Sequence, residues 1–490
     1  MKQGGLVLLL LLSLCRPGNA VEAIRFEDYF TSQTLRVDYF HTGEAKAESI
    51  TLDRVYEQGE WAGSRKNLLD PFGVGRYSVQ VTDAASGVPI FSRGYDSCFG
   101  EYRTTAEAAQ GIARTYHETV LLPCPKKPVV FSVFSRDPQN QVHRIFSCPI
   151  DPAGPYVVHE PPARGVTVIP AHVRGTPSTK VDLTIVAEGY TRDEEVKFRQ
   201  DLKRFTGILL GFEPYHSLRD RFNVRGAFKP STQSGADEPS HGSFRNTTLS
   251  ARFDSFGSER YLLTEDNKAL QDIIACVPTD AIVILVNHKR YGGGGIYNCY
   301  CTLTSDNQWH PYLLLHEFGH SFTGLADEYY TSQVAYNEFY PPGVEPVEAN
   351  ITALLDPARL KWQDLVTPGT AIPTPWEKAG FDEQDLAYQK VRQEVNGRIA
   401  HLKRKKAPAA EIAELEAESE RLSLAAAKKS DDYLRAGKYW GQVGAFEGAG
   451  YASTGLYRPM ADCLMFTKGT KPFCRVCEAA VRRMIQFYTE

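Results

Sequence analysis

The sequence lacks the features that mark several common classes of protein. Its 490 residues carry a net charge of −4, so the basic excess that nucleic-acid binders usually show is missing. Beyond residue 20 no run reaches the ~18 consecutive apolar residues of a membrane helix. A hydrophobic share of 42% excludes a mostly disordered chain. The sequence therefore predicts a folded protein with no nucleic-acid partner and no integral membrane segment in the mature chain.

Methionine is also scarce, with only four in the chain. Apart from Met1 these are Met460, Met465 and Met484, and all three lie near the C-terminus. Methionine fills irregular spaces in a core. A region that concentrates so rare a residue is therefore a candidate for a specific packing role.

The N-terminal segment has the pattern of a secretory signal. Lys2 supplies a positive start, and residues 6–14 form an apolar run that is too short to span a bilayer. Gly18 and Ala20 place small residues at the two positions that signal peptidase reads. We expect residues 1–20 to be a signal peptide and the mature protein to be secreted, periplasmic or at the cell surface. An uncleaved anchor is the alternative.

Cysteine is present at ten positions. Cys15 lies in the predicted signal, and lipid attachment there is disfavoured because Leu14 before it is large. The remaining nine cannot all pair, and export favours disulfides or inert buried thiols. A less favoured arrangement is a four-thiolate zinc site formed by Cys299, Cys301, Cys474 and Cys477.

The first part of the mature chain has a β pattern. Over residues 22–172, apolar and polar residues alternate in short runs such as 77–81 and 129–134. Several short strands at this spacing predict an N-terminal β-sandwich. The stretch 161–177 is rich in proline and is typical of a linker, which leaves residues 178–490 as a second domain.

The second domain alternates strands and helices. Residues 181–187 and 281–286 have the composition of buried strands, and residues 194–210 have helical spacing of apolar side chains. This alternation predicts an α/β layer. The glycine run at 292–295 lacks the Lys-Ser/Thr of a phosphate loop, so we interpret it as a flexible turn.

Residues 383–435 differ from both domains. Two apolar stripes at helical spacing flank Pro408, the basic run 403–406 would close a first helix, and glutamates over 411–420 would open a second. The pattern predicts an antiparallel helical hairpin inserted in the second domain. We interpret the charges as solvated faces, with a partner-binding role less favoured.

The segment H-E-x-x-H at 316–320 carries the most chemical information. Residues four apart on a helix share a face, so the imidazoles of His316 and His320 can reach one metal ion. Glu317 lies beside that face and can act as general base and then general acid. Zinc, as Zn2+, suits two imidazoles and a carboxylate while a position stays open for water.

A third ligand is within reach of this helix. Gly324 can end the helix in a left-handed turn, after which Asp327 and Glu328 bring two carboxylates back near the same end. The residues alone leave open which of the two binds the ion.

The segment 316–329 resembles the active-site segment of the IgA peptidase family of zinc metallopeptidases. Further segments fit the pattern of that family, and residues around Trp61 and Gly94 resemble its N-terminal domain. The matching segments are 187–190, 260–261, 286–287, 291–294, 446–451 and 457–459. The resemblance thus covers most of the mature chain and implies a metzincin-like zinc peptidase.

The resemblance also implies roles for residues beyond the helix. It implies Asp327 as the third zinc ligand, although this residue follows His320 one position later than the metzincin spacing. The short turn from Gly324 favours the first carboxylate that it reaches. In an extended chain Glu328 would point to the other side, where it would bind a backbone amide or a histidine proton.

Metzincins carry a methionine turn beneath the zinc. The segment at 463–465 is the implied counterpart, with Met465 as its methionine and Met460 as the alternative. The resemblance also implies a tyrosine near this turn as a transition-state stabiliser, for which Tyr457 and Tyr451 are the candidates.

We therefore predict a multidomain α+β protein with an N-terminal β-sandwich and a metzincin-like zinc peptidase domain. It would be a secreted endopeptidase that hydrolyses protein or peptide substrates, including immunoglobulin-like proteins or glycoproteins. The sequence carries no signal for an oligomeric state.

Two rival functions remain open at this stage. One is a different class of zinc peptidase whose third ligand is Glu338, Glu345 or Glu348. The other is a secreted protein- or carbohydrate-binding module in which the zinc is structural and has four protein ligands.

Overall fold

The computed structural model of the protein describes residues 24–159, 164–331 and 339–490. The predicted signal peptide, residues 1–20, lies outside these residues, and so does Glu338. Within them the chain is a mixed α and β structure with several sheets. This agrees with the mixed fold class expected from the sequence.

The N-terminal region, residues 24–159, is built from strands with short helices at their ends. Its strands are β1 (Phe30–Gly43), β2 (Glu48–Glu60), β3 (Tyr77–Asp83), β4 (Pro89–Tyr95), β5 (Arg114–Pro125), β6 (Val129–Arg136), β7 (Val142–Ile150) and β8 (Val157–Val158). Its helices are α1 (Phe26–Tyr29), α2 (Cys98–Tyr102) and α3 (Ala106–Ala109).

These strands form two four-stranded sheets, in the orders β5-β1-β2-β8 and β4-β3-β6-β7. Alternate residues of β3 are buried, as a strand with one face on a core requires. Val79 and Val81 on β3 belong to the same hydrophobic cluster as Leu35 and Val37 on β1. The two sheets therefore enclose a common core.

The following part of the chain forms a six-stranded sheet with helices. Its elements are β9 (Thr167–His172), β10 (Val181–Glu188), α4 (Glu195–Leu210), β11 (Phe222–Phe228), α5 (Asn267–Ile274), β12 (Ala281–Val286), β13 (Gly293–Ile296), β14 (Tyr300–Thr304) and α6 (His310–Thr323). The strand order is β13-β14-β12-β10-β11-β9. The four central strands are parallel, and the two edge strands β13 and β9 run antiparallel to their neighbours.

Two sequence-based interpretations differ from this arrangement. The sandwich was expected to extend to residue 172, but β9 pairs with β11 in the six-stranded sheet. The glycine run at 292–295 was interpreted as a flexible turn, but Gly293–Ile296 is the edge strand β13. Alternation reveals that a segment is a strand but not which sheet it joins, and a run of glycine has no side-chain pattern to show a strand at all.

Both faces of the six-stranded sheet are buried along the strands β10, β12 and β14. On β12, Val283 and Leu285 belong to a cluster formed with the helices, whereas Ile282 and Ile284 belong to the cluster that includes the N-terminal sheets. A parallel sheet that is covered on both faces has this continuous apolar character. The N-terminal region therefore packs directly against one face of the six-stranded sheet.

A pair of long helices follows, α7 (Lys378–Arg404) and α8 (Ala409–Arg435). The helices pack against each other around a small cluster of Val395, Ile399 and Leu415. Phe381 and Leu434, at the base of the pair, belong instead to the main cluster of the helices. The observed pair begins five residues before the predicted start at 383.

The chain ends with β15 (Phe446–Ala449), β16 (Ala452–Arg458) and α9 (Arg475–Thr489). β15 and β16 form a two-stranded antiparallel sheet, and α9 packs against α6 and β10. Among the helices of the described residues, none has both the length and the apolar composition needed to cross a membrane.

Candidate active site

Helix α6 carries the H-E-x-x-H segment and is largely buried. The helix begins with Pro311 near its N-terminus, where a missing N–H costs nothing. It ends at Gly324, which has φ 66° and ψ 34° in the left-handed region. A Cβ at this position would lie 2.6 Å from Cγ1 of Val74 in the N-terminal region, so the turn also needs glycine for space.

The two histidine rings of α6 are oriented by backbone carbonyls. Nδ1 of His316 lies 3.2 Å from the carbonyl oxygen of Leu464, and Nδ1 of His320 lies 2.6 Å from that of Leu325. A carbonyl only accepts, so each Nδ1 carries the proton and each Nε2 is left as the coordinating atom. The two Nε2 atoms are 3.2 Å apart.

Asp327 completes this group of atoms. Its Oδ1 lies 3.1 Å from Nε2 of His316 and 3.2 Å from Nε2 of His320. Asn350 holds the preceding residue in place, because it accepts from the amide of Ala326 at 2.8 Å and donates to its carbonyl at 2.9 Å. Tyr451 donates its hydroxyl hydrogen to the other carboxylate oxygen, Oδ2.

These atoms fit a zinc ion. With both Nδ1 atoms protonated, three acceptors converge at separations of 3.1 to 3.2 Å and need a cation between them. A tetrahedral zinc with ligand distances of ~2.0–2.1 Å separates neighbouring ligand atoms by about 3.3 Å. His316, His320 and Asp327 could therefore hold Zn2+ with a fourth position left over.

The electrostatics of the group show the same need for a cation. Burial opposes a charge on His320, yet the Asp327 carboxylate raises the pKa of His320 to about 9. Burial likewise opposes charge on Asp327, but the two histidines hold its pKa well below the usual range. A proton can therefore stand in for the cation, and a metal ion must displace it to bind.

Glu317 lies beside the two imidazoles. One oxygen of its carboxylate and one nitrogen of each ring all lie within 4.8 Å of one another. The strand β13 approaches it closely, since a Cβ at Gly293 would lie 3.0 Å from Oε1 of Glu317 and one at Gly295 would lie 2.8 Å from Cβ of His320. Burial raises the pKa of Glu317, which suits a group that must both take and return a proton near neutral pH.

Glu328 lies on the other side of the chain from Asp327. It accepts a hydrogen bond from Nδ2 of Asn350 at 3.0 Å and lies 3.2 Å from Sγ of Cys477. From the sequence, Glu328 was expected to bind a backbone amide or a histidine proton. That expectation is wrong, because the histidine protons go to backbone carbonyls and the extended chain turns Glu328 into the core.

Met465 packs beneath α6. The side chain is fully buried, and a Cβ at Gly319 would lie 3.1 Å from its sulfur. The preceding residue, Leu464, supplies the carbonyl that orients His316. Met460, the alternative for the methionine turn, is only partly buried at the edge of the cluster.

A cleft of about 260 Å³ opens over His316, Glu317, His320 and Asp327. Its aromatic lining consists of Tyr261, Tyr291, Tyr297, Tyr312, Tyr329, Phe339, Tyr340 and Tyr451. The N-terminal region contributes Val74, Arg76, Asp96, Glu101, Arg136 and Asn140. Of the two tyrosines proposed as stabilisers, Tyr451 lines this cleft, whereas Tyr457 lies on β16 and is not among the lining residues.

Two of the alternative third ligands are engaged with other residues, although Glu348 also lines the cleft. Glu345 pairs with Lys361 at 3.1 Å, and Glu348 accepts a hydrogen bond from Tyr340 at 2.9 Å. Glu338 falls outside the described residues. The less favoured four-thiolate group is not assembled either, because Cys474 and Cys477 lie with Cys463 and Glu328 rather than with Cys299 and Cys301.

Some cleft residues were not predicted from the sequence. Arg260 donates from Nη2 to the hydroxyl of Tyr329 at 2.7 Å, and both line the cleft. The segments that contain these two residues contributed to the family resemblance, but the sequence assigned neither residue a role. The cleft wall formed by the N-terminal region could not be predicted, because nothing in residues 74–140 indicates a contact with a helix that begins at residue 310.

The comparisons with known proteins agree with the two-part architecture. The family model described as IgA Peptidase M64 matches residues 169–485. The model described as Peptidase M64 N-terminus matches residues 25–147. No curated protein matches the chain. The family resemblance predicted from residues 316–329 is confirmed.

Proposed function

The chain belongs to the IgA peptidase M64 family, and we propose that it is a secreted zinc-dependent endopeptidase that cleaves extracellular proteins. One observation carries the proposal. Nε2 of His316, Nε2 of His320 and Oδ1 of Asp327 converge at an open cleft, with the carboxylate of Glu317 beside them.

The residues of the site would have different roles in the reaction. A zinc ion held by His316, His320 and Asp327 would supply a Lewis acid that polarises the scissile carbonyl. Glu317 would take a proton from the attacking water on its carboxylate and later donate it to the leaving amine. Its raised pKa makes the carboxylate a stronger base for the first of these two steps.

The surrounding groups hold this arrangement in place. The carbonyls of Leu464 and Leu325 fix the ring orientations of the two histidines, and Tyr451 fixes the carboxylate of Asp327. Because Tyr451 also lines the cleft, it is favoured over Tyr457 as the group that would approach the substrate carbonyl.

The form of the cleft supports a protein substrate. Its walls come from two regions of the chain, so an extended polypeptide could lie between the N-terminal region and α6. The description of the family suggests immunoglobulin-like substrates, and other secreted glycoproteins fit the same cleft. Specificity depends on the lining residues and not on the fold.

The non-catalytic alternative receives less support. A structural zinc is enclosed by four protein ligands, whereas this group has three and faces a cleft. Glu328, the acid that follows Asp327, turns away from the histidines and bonds to Asn350.

Glu317→Gln tests the proposal. We expect this variant to retain zinc and to lose about 10²–10⁴-fold in the rate of protein cleavage, because the amide cannot accept the proton of water. Zinc content is measured by elemental analysis. The rate of cleavage is measured with a protein substrate whose fluorescence is quenched until it is cut. Glu345→Gln is the control, since that glutamate pairs with Lys361 outside the cleft. A Glu317→Gln protein that cleaves at the wild-type rate would contradict the assignment.

A further inference from the structure

We propose that the protein has a second metal site, a closed structural zinc site formed by Glu328, Cys463, Cys474 and Cys477. The inference is independent of the proposed function, because none of these four residues lines the cleft. It concerns a different ion from the one assigned to the histidines.

The four ligand atoms have the spacing that a single zinc requires. All lie within 4.8 Å of one another. Sγ of Cys463 and Sγ of Cys477 are 3.9 Å apart, and Oε1 of Glu328 lies 3.7 Å from Sγ of Cys474 and 3.2 Å from Sγ of Cys477. A tetrahedral zinc with Zn–S of ~2.3 Å and Zn–O of ~2.0 Å separates sulfur atoms by about 3.8 Å and sulfur from oxygen by about 3.5 Å.

The carboxylate of Glu328 has an unmet need for a cation. The side chain is fully buried, and its Oε2 has no hydrogen-bond partner within the described residues. Burying an ionised carboxylate without a partner is costly. The nearby buried guanidinium of Arg458 donates instead to the carbonyls of Gly448 and Ala461. A cation among the three sulfur atoms would remove this cost.

The backbone around the cysteines is arranged to stabilise thiolates. The amide of Cys477 donates to Sγ of Cys474 at 3.4 Å, which is the local turn that a C-x₂-C pair forms around a metal. The amides of Cys474 and Met465 donate to Sγ of Cys463 at 3.1 and 3.4 Å. Cys474 also caps α9, a 15-residue helix, at the end where the dipole favours negative charge.

This site would act as a structural clamp. Its four protein ligands are buried and leave no position for substrate. Glu328 follows Asp327 directly, and its amide donates to the carbonyl of Met465 at 2.8 Å. The ion would therefore join the Asp327 segment, the Met465 loop and α9 beneath the first metal centre.

A disulfide is the competing use of these cysteines. Joining two of the three sulfur atoms would remove two ligands, and it would leave the third thiol beside a buried carboxylate that still has no cation. A protein with the disulfide and a protein with the zinc site differ in mass and in zinc content. Measuring both quantities on one preparation therefore distinguishes them.

The test counts zinc in the full mature protein, purified under nitrogen from zinc-supplemented medium. We expect about two zinc ions per wild-type chain and about one in a His316→Ala/His320→Ala variant. X-ray absorption at the zinc edge of that double variant should show three sulfur ligands at about 2.3 Å and one lighter ligand. Zinc bound only by nitrogen and oxygen in the wild type, or a protein mass two hydrogens lower per cysteine pair, would overturn the proposal.

Substitution of the cysteines provides a second test of the proposed zinc site. Cys474→Ser/Cys477→Ser should lose about one zinc ion per chain, whereas Cys148→Ser, on β7, should lose none. If the double serine variant does not fold, the absorption spectrum of the His316→Ala/His320→Ala variant still decides, because its cysteines are intact. A wild-type protein that holds the sulfur-bound zinc but cleaves no protein substrate would count against the first metal centre and not against this one.

Discussion

The N-terminal region and the α7–α8 pair both lie outside the ligand set, yet they relate to the site in opposite ways. The N-terminal sheets share a hydrophobic cluster with one face of the six-stranded sheet and line the cleft. The helix pair has its own small cluster and does not line the cleft. The comparison teaches that the fold depends on a neighbouring region to the extent that the two share buried surface. The number of residues in that region does not decide the dependence.

The N-terminal region is joined to the rest of the chain by buried polar contacts as well as by its core. Arg36 is buried and pairs with Asp272 on α5 at 2.8 Å. Arg93 donates to the hydroxyl of Tyr488 on α9 at 2.6 Å. Breaking such contacts leaves buried polar groups without partners, which is costly. The region should therefore fold together with the sheet.

The helix pair reaches the body mainly through surface contacts. Lys289 pairs with Glu416 at 2.8 Å, and Nε1 of Trp309 donates to Oγ of Ser423 at 3.1 Å. Exposed pairs of this kind contribute ~0–1 kcal/mol each. Beyond its base at Phe381 and Leu434, the pair should contribute little to the stability of the rest of the protein.

The largest expected effect comes from removing the N-terminal region. A chain that starts at residue 164 would expose Ile282 and Ile284 on a bare face of the sheet. We expect it to be insoluble or to lack a cooperative thermal transition, because exposed apolar surface costs ~25 cal/mol per Å². Soluble yield and calorimetry measure this. A chain that melts cooperatively within a few degrees of the full protein would show that the shared cluster is dispensable.

A matched pair of core substitutions sharpens the comparison. Ile284 is fully buried between the two regions, and Ile399 is buried within the helix pair. We expect Ile284→Ala to lower the free energy of unfolding by about 2–5 kcal/mol, the usual cost of a core cavity. Ile399→Ala should cost about 1–2 kcal/mol, because the small cluster around it can collapse.

Urea unfolding and native-state hydrogen exchange measure both variants. Exchange should rise throughout the six-stranded sheet in Ile284→Ala but only within α7 and α8 in Ile399→Ala. Equal costs, or faster exchange in the sheet for Ile399→Ala, would mean that the helix pair is part of the same cooperative unit.

The smallest effect is expected from shortening the helix pair. Replacing residues 387–427 with a short Gly-Ser linker keeps Phe381 and Leu434 in the main cluster and keeps Asp431 paired with Lys471. We expect zinc binding to be unchanged and the rate of short-peptide cleavage to stay within about 2-fold of the wild-type rate. Closing a flexible loop costs only ~0.6 kcal/mol of folding free energy per doubling of its length, so the linker should be tolerated. Loss of zinc or of folding would place α7 and α8 in the structural core.

Local spacing accounts for what could be predicted about the site. The i and i+4 positions of His316 and His320, and the conformation that Gly324 permits, depend on a few consecutive residues. Asp327 follows Gly324 after only two intervening residues. The sequence could not show that Glu328 joins Cys463, because those residues lie far apart in the chain and meet only in the folded protein.

The same division holds for the whole protein. By itself the sequence determined the strand periodicity, the helix of the H-E-x-x-H segment and the family, since each depends on neighbouring residues or on a short motif. Tertiary structure alone decided that β9 joins the six-stranded sheet, that Gly293 lies against Glu317 and that Val74 meets Gly324. The physical reason is that a period of two or 3.6 specifies which side chains are buried, whereas the identity of the surface that buries them depends on the packing of the complete chain.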